Sequence, residues 1–104
     1  MIVSIITPTF NRAYIIRNLY KSLITQSSKD FEWIVIDDGS TDETENIVNK
    51  WKQDDFLDIT YIKQPNGGKH KAINRAVKCA KSDYVFIVDS DDFLVENAVE
   101  RIDY

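Results

Sequence analysis

The chain has 104 residues, of which 43% are hydrophobic and 29% charged, a balance typical of one soluble α/β domain with its own core. Thirteen Lys and Arg against seventeen Asp and Glu leave a net charge of −4, which argues against nucleic acid as a partner. One cysteine, Cys79, excludes an internal disulfide, and one histidine, His70, excludes a Cys/His zinc cluster. We therefore expect a cytoplasmic protein.

The first half of the chain alternates strand and helix patterns. Residues 2–6 and 31–36 are short, nearly continuous apolar runs, which predict strands covered on both faces. Between them, apolar residues spaced by four predict a helix with Asn11 as its N-cap: Ile15, Leu19 and Leu23, with Ile16, Tyr20 and Ile24. Residues 40–43 fit a capping box for a second helix, which buries Ile47, Val48 and Trp51.

The second half repeats the alternation. Residues 58–62 mix polar and apolar side chains and predict an edge strand, and Asn66-Gly67-Gly68 predicts a turn. A third helix follows, with Cys79 in the core and an inner stripe of Ala72, Ile73, Ala76, Val77 and Ala80. Residues 84–88 predict a fourth strand, covered on both faces, and residues 95–102 a last helix. The sequence therefore predicts a mainly parallel, Rossmann-like α/β sheet of about four strands flanked by helices.

Ligands of parallel α/β sheets bind beyond the carboxyl ends of the strands, so the segments after the four strands are the candidate site. These segments are Thr7-Pro8-Thr9-Phe10-Asn11-Arg12, Asp37-Asp38-Gly39-Ser40, Gln64-Pro65-Asn66-Gly67-Gly68-Lys69 and Asp89-Ser90-Asp91-Asp92. They place five carboxylates at one edge of the sheet. Like charges at that density favour a hard divalent cation such as Mg²⁺ or Mn²⁺.

Each element of this edge has two interpretations. Asp89 and Asp91 suit a metal and a sugar hydroxyl, or they form an acidic turn that caps the last helix. Asp38 can accept a hydrogen bond from a nucleobase, or it belongs to a plain strand-to-helix turn. Phe10 can stack on a base or pack in its loop. Lys69 lies where an anionic ligand would bind, although five of the thirteen Lys and Arg fall within residues 69–81 and indicate a solvated face.

Together, the four segments resemble the start of family 2 glycosyltransferases of the GT-A fold. The resemblance covers essentially the whole chain and implies the N-terminal half of that fold. It implies a nucleotide-sugar donor, with a UDP-sugar favoured, and inverting transfer to the hydroxyl of a saccharide or lipid-linked acceptor in polysaccharide biosynthesis.

The resemblance also implies roles for individual residues. Mn²⁺ or Mg²⁺ would be held by Asp91, the principal ligand, and by Asp89, which would approach the ribose or donor sugar. Asp38 would read the base. The implied nucleotide-sugar-binding set is Thr7, Pro8, Phe10, Asp38, Asn66, Lys69, Asp89 and Ser90.

The chain also departs from the family pattern. Members continue past this point with the acceptor pocket and the general base, so residues 1–104 are expected to form the donor-binding part alone and to be inactive in isolation. The base is expected beyond Tyr104, since Asp92, Glu96 and Asp103 do not match its position. The full-length enzyme is expected in the cytoplasm, at the inner face of the membrane.

The sequence also has features of two other classes of protein. One is a non-catalytic interaction module that self-associates through apolar surface at the cut edge of the sheet. The other is a phosphoacceptor receiver domain. A receiver has an acidic pair after its first strand, where this chain has Thr7-Pro8-Thr9.

Overall fold

The computed structural model describes residues 3–101, in which strands and helices alternate along the chain. The strands are β1 (Val3–Thr9), β2 (Phe31–Asp37), β3 (Asp58–Lys63) and β4 (Val85–Ile87). The helices are α1 (Ile16–Ile24), α2 (Thr44–Asp54) and α3 (Lys69–Cys79). The strands form one parallel sheet in the order β3-β2-β1-β4, which confirms the predicted α/β sheet and the edge position of β3. Ile2 and Ile102, the outer ends of two predicted elements, lie outside the described residues.

The helices cover both faces of the sheet, because β1 and β2 have apolar side chains pointing alternately to either side. One face packs Ile5 and Trp33 against α1 and α2. The other packs Ile6 and Ile34 against the small side chains of α3. On the first face, Tyr20 of α1 and Trp51 of α2 stack with ring centroids 4.0 Å apart, and this stack joins the two helices.

Both predicted helix caps are wrong. No side chain caps α1, and Asn11 instead bonds to the loop before α2. Helix α2 begins at Thr44 rather than directly after Ser40, so residues 40–43 do not form a capping box. The Asp42 carboxylate accepts the Thr44 N–H at 3.0 Å, and the Ser40 hydroxyl is occupied by the Asn11 N–H. Asn11 and Ser40 therefore bond to tertiary partners instead of capping the helices that follow them.

Three predictions in the second half are also wrong. Cys79 and Val77 are exposed, because α3 packs against β1 and β2 through Ala72 and Ala76, on a narrower face than predicted. Strand β4 is not covered on both faces, since it lies at the second edge of the sheet. In the described part of the predicted last helix, residue 95 is irregular and residues 96–101 form turns instead of a helix.

The order of the strands reverses beside β1. The chain runs outward from β1 through β2 to β3, and then returns to place β4 on the opposite side of β1. Such a reversal opens a crevice at the carboxyl ends of the two strands that flank it, which is where open α/β sheets bind ligands. In the described part of the chain, no helix has the length and apolar character needed to cross a bilayer.

Candidate functional site

The carboxyl end of β1 forms the floor of the crevice. Strand β4 pairs with β1 from Ser4 to Ile6, so within residues 3–101 no strand lies beside Pro8 on its β4 side. Proline has no N–H to donate there, and the sheet can open at this position without leaving a backbone donor unpaired. Thr9 follows, with only 4% of its surface exposed, and its hydroxyl oxygen has no hydrogen-bond partner among residues 3–101. This oxygen lies beneath the floor of the crevice, and a buried hydroxyl without a partner is uncommon in folded proteins.

A reciprocal set of hydrogen bonds holds the loop after β1. Asn11 has a left-handed backbone, with φ of 52°, a conformation that asparagine tolerates better than most residues. Its N–H donates to the Ser40 hydroxyl at 2.8 Å, and its side-chain oxygen accepts the Thr41 N–H at 2.8 Å. These bonds fix the residues on either side, Phe10 and Arg12, which both line the crevice.

The two acids at the end of β2 have different environments. Asp37 is buried, and its two carboxylate oxygens accept the Ser40 N–H at 2.8 Å and the Tyr61 hydroxyl at 2.5 Å. Burial, followed by the bond to Asp37, raises the pKa of the Tyr61 phenol. Asp37 is therefore committed to holding β2, β3 and the following turn together, and it does not line the crevice.

Asp38 both lines the crevice and anchors the loop between β3 and α3. Its Oδ1 accepts the Gly67 N–H at 2.8 Å and the Gln64 side-chain amide at 3.1 Å, and its Oδ2 accepts the Gly68 N–H at 3.0 Å. The bond from the Gly67 N–H contributes most to lowering the pKa of the Asp38 carboxyl, and the Gln64 bond adds to it. Asp38 is thus held as a carboxylate, with acceptor capacity left on Oδ2.

The acidic segment after β4 forms the opposite wall. Oxygen atoms of Asp89, Asp91 and Asp92 all lie within 4.8 Å of one another. Asp91 and Asp92 are exposed and Asp89 is half-buried. Lys69, the first residue of α3, reaches across the crevice and places its Nζ 2.9 Å from Asp89 Oδ1. Both partners of this ion pair are solvent-accessible, so the pair is weak and a ligand can replace it.

The crevice is an open cleft of about 270 Å³. It brings together most of the predicted site residues, namely Pro8, Phe10, Asp38, Lys69, Asp89, Ser90 and Asp91. It does not include Thr7, whose buried hydroxyl accepts the Trp33 indole N–H at 2.8 Å, or Asn66, which is exposed in the loop that Asp38 anchors.

Three residues of the cleft are missing from the predicted set: Thr9, Arg12 and Ala72. Thr9 and Arg12 belong to the segment that follows the first predicted strand, so position alone could have indicated them. Ala72 gave no signal of a site, since its small side chain reads only as part of the buried stripe of α3. The complete lining combines apolar and aromatic groups, carboxylates and two cations, a combination suited to a flat ring joined to a charged group.

Comparisons with known proteins agree with this geometry. The model of the family described as "Glycosyl transferase family 2" matches residues 4–102. A GalNAc(5)-diNAcBac-PP-undecaprenol beta-1,3-glucosyltransferase of Campylobacter jejuni is 36% identical over 95% of this chain and 32% of its own length. The poly(ribitol-phosphate) beta-N-acetylglucosaminyltransferase TarP of Staphylococcus aureus is 38% identical over 96% of this chain and 31% of its own length.

Solved structures agree as well. Residues 1–349 of Staphylococcus aureus TarS in complex with UDP-GlcNAc match with a TM-score of 0.90 and 36% identity, over 96% of this chain and 29% of that one. The mannosyltransferase PcManGT from Pyrobaculum calidifontis, in complex with GDP-Man and Mn²⁺, matches with a TM-score of 0.82 and 32% identity, over 88% of this chain and 28% of that one. The fold is thus the expected GT-A fold.

The chain spans about a third of the length of the two curated relatives named above. Within that third, the match is nearly continuous and includes the four segments that line the cleft. The chain therefore belongs to glycosyl transferase family 2.

Proposed function

We propose that this chain is the donor-binding part of a metal-dependent, inverting glycosyltransferase. Its cleft would bind a nucleoside diphosphate sugar, whose sugar the complete enzyme transfers to an acceptor hydroxyl. The observation that carries this proposal is the meeting, in one cleft, of two carboxylates of the acidic cluster, two cations and an exposed aromatic ring. Binding of the nucleobase needs no metal, whereas binding of the diphosphate does. We propose that the base and the metal bind at different walls of the cleft.

The wall formed by β1 and β2 is proposed to hold the nucleobase. Phe10 is exposed at the mouth of the cleft and offers a flat apolar surface, with Pro8 beside it. Asp38 keeps an acceptor position on Oδ2 for an N–H of the base. The predicted roles of Thr7 and Asn66 become indirect, since neither side chain lines the cleft.

The wall formed by the segment after β4 is proposed to hold a divalent cation. The carboxylates of Asp89, Asp91 and Asp92 lie close enough together to share one ion, and hard oxygen donors suit Mn²⁺ and Mg²⁺. Asp91 would be the principal ligand and Asp89 would also face the ribose or sugar. When bound, the cation neutralises charge that develops on the diphosphate leaving group.

The cations of the cleft are proposed to bind the diphosphate. Lys69 is held over the cleft by its ion pair with Asp89, and Arg12 lines the same space. Each can bond to phosphate oxygens, and Lys69 becomes available once Asp89 bonds to the ligand instead. Inversion needs a general base for the acceptor hydroxyl, and we assign that role to none of the acids in the cleft. Residues 1–104 would then bind the donor without turning it over.

The proposed donor is a UDP-sugar, by analogy with TarS bound to UDP-GlcNAc, and the acceptor is a saccharide or lipid-linked saccharide. The similarity to PcManGT bound to GDP-Man makes a GDP-sugar the alternative donor. Mn²⁺ is the first cation to test, because PcManGT contains it. A cytoplasmic location, at the inner face of the membrane for the full enzyme, stays a prediction based on the single cysteine and the family.

Calorimetric titration of UDP into the chain, with Mn²⁺ or with EDTA, tests the proposal. We expect Mn²⁺ to strengthen UDP binding, and Asp91→Asn to weaken the Mn²⁺-dependent binding about tenfold or more. The matched control is Asp83→Asn, an exposed acid before β4, which should bind as the unmodified chain does. A folded chain that binds neither UDP nor GDP more tightly with Mn²⁺ would contradict the proposal.

A further inference from the structure

A buried glutamate lies at the opposite end of the sheet from the cleft. Glu32 is the second residue of β2, and only 1% of its surface is exposed. Its Oε2 accepts the Ser4 hydroxyl at 2.5 Å and the Lys81 backbone N–H at 2.6 Å. Acids are seldom buried this completely, because an ionised carboxylate loses its hydration. The burial of Glu32 therefore calls for a structural explanation.

The partners of Glu32 belong to the connection between α3 and β4. Lys81 donates directly, and the next residue, Ser82, donates its N–H to the Ser4 hydroxyl at 3.2 Å. Ser4 in turn donates its own N–H to the Tyr84 carbonyl oxygen at 2.8 Å, one residue before β4 begins. Glu32 and Ser4 therefore bind three points of the connection in succession, and they attach it to the first residues of β1 and β2.

These bonds to the connection matter more for the position of β4 than for the positions of β1, β2 and β3. Within residues 3–101, β4 pairs only with β1, over three residues. Helix α3 packs mainly against β1 and β2, and of β4 only Val85 reaches that core. A slip of one residue along a strand moves everything after it by about 3.3 Å. Asp89 follows the end of β4 by two residues, so a displaced β4 would carry the metal-binding wall with it.

We propose that Glu32 is a positioning residue that fixes β4 relative to β1 and β2, and with it the distance between the two walls of the cleft. The proposal rests on the donor-binding function above. Asp89 and Asp91 follow β4, whereas Phe10 and Asp38 follow β1 and β2, the strands to which Ser4 and Glu32 belong. Loss of the Glu32 carboxylate should therefore weaken metal-dependent binding of the nucleotide and leave metal-independent binding unchanged.

The hydrogen bonds of Glu32 indicate which substitution should preserve its role and which should abolish it. The Glu32 Oε1 and the Ser82 hydroxyl are buried, and neither has a hydrogen-bond partner in the described part of the chain. In Glu32→Gln, the amide oxygen can accept the Lys81 N–H and the Ser4 hydroxyl, and the amide nitrogen adds a donor where Oε1 now lies. Glu32→Met has a similar shape and removes both acceptor oxygens.

The experiment measures UDP affinity with Mn²⁺ and with EDTA for each variant, after folding is checked by circular dichroism and amide spectra. We expect Glu32→Met to reduce the strengthening by Mn²⁺ about tenfold, with UDP affinity in EDTA unchanged within twofold, and Glu32→Gln to restore it. Asp58→Asn is the matched control, because Asp58 pairs with Glu32 across the sheet but is exposed. If Glu32→Met does not fold, Ser4→Ala should give the same split to a smaller extent.

Two results would overturn the inference. One is a folded Glu32→Met chain, or in its absence a Ser4→Ala chain, with full strengthening by Mn²⁺. The other is an equal loss of affinity in Mn²⁺ and in EDTA, which indicates a general loss of structure. Failure of the unmodified chain to bind UDP or GDP with Mn²⁺ would instead contradict the proposed function, so the two failures are distinguishable.

Discussion

At the scale of single residues, Asp37 and Asp38 show how adjacent acids acquire different tasks. Asp37 bonds to Tyr61, and Asp38 bonds to two glycine N–H groups about thirty residues further along the chain. The sequence predicts two acids at a strand end, since that depends on local pattern. It does not predict their partners, because these come from a loop whose path is set by the packing of β3 and α3.

The lowered pKa of the Asp38 carboxyl predicts how stability depends on pH. Its ordinary value is near 3.8, and the folded value lies below it, so the folded chain favours the carboxylate. The stabilisation is complete above the ordinary value and is lost as pH falls through the folded one. Asp38→Asn should therefore lower the free energy of unfolding by about 1–2 kcal/mol at pH 7, because charge-assisted bonds are lost.

Urea denaturation at pH 7, 5 and 3 measures this difference. The gap between the unmodified chain and Asp38→Asn should narrow as the pH approaches 3. Asp83→Asn, which changes an exposed acid, serves as the control for the change in net charge. A gap of constant size across this range would mean that the Asp38 charge does not stabilise the loop.

Strand β1 extends three residues beyond the apolar run that predicts it. The apolar run ends at Ile6, yet the strand continues through Thr9, because Thr7 bonds to Trp33 across the sheet and β2 remains paired to the end. A polar residue thus replaces an apolar one without ending the strand. This extension places Thr9 on the cleft floor and Thr7 in the interior, a distinction that residue type alone cannot make.

At the scale of elements, the four strands and the first three helices follow from hydrophobic period. Strand β2 is predicted almost to the residue, since a run buried on both faces leaves little choice of conformation. Helix ends are less predictable. Asn11 and Ser40 bond to each other's loops across 29 residues, and this tertiary contact takes precedence over local capping. Residues 95–101 bond back to Gln26, two residues beyond the end of α1, a contact that no local pattern indicates.

Substitutions at two glycines would show how closely the turn between β2 and α2 approaches the loop between β3 and α3. Gly39 and Gly68 have φ of 90° and 98°, conformations that a side chain strains. A Cβ on Gly39 would lie 3.1 Å from the Asn66 backbone nitrogen, whereas a Cβ on Gly68 would meet nothing within 4 Å. Gly68→Ala should cost about 1–3 kcal/mol from backbone strain alone, and Gly39→Ala should cost more.

Equilibrium urea unfolding of the two variants gives the comparison, with Gly68→Ala as the matched control for strain. The additional loss of unfolding free energy in Gly39→Ala, relative to Gly68→Ala, measures the contact between the turn and the loop. This contact holds the loop against Asp38. Equal costs, or a larger cost in Gly68→Ala, would show that the loops can separate without penalty.

At the scale of the whole molecule, the sheet is well covered on one side of the cleft and open on the other. Phe86 and Ile87 of β4, whose side chains point to opposite faces of the sheet, are 44% and 51% exposed. Apolar surface on an edge strand favours association, so self-association through this edge stays a prediction, which sedimentation velocity tests.

Family membership follows from the order of the four segments along the chain, which is a property of the whole sequence rather than of any one motif.

The central claim is that one cleft binds a nucleotide against β1 and β2 and a divalent cation against the segment after β4. Its most direct test is an amide NMR spectrum of the ¹⁵N-labelled chain with UDP and substoichiometric Mn²⁺, which broadens signals close to the ion. We predict broadening centred on Ser90, Asp91 and Asp92, shifts at Phe10 and Gly67, and loss of the broadening in Asp91→Asn. Broadening centred on another acidic surface, such as Asp42 and Glu45, or none at all, would contradict the account.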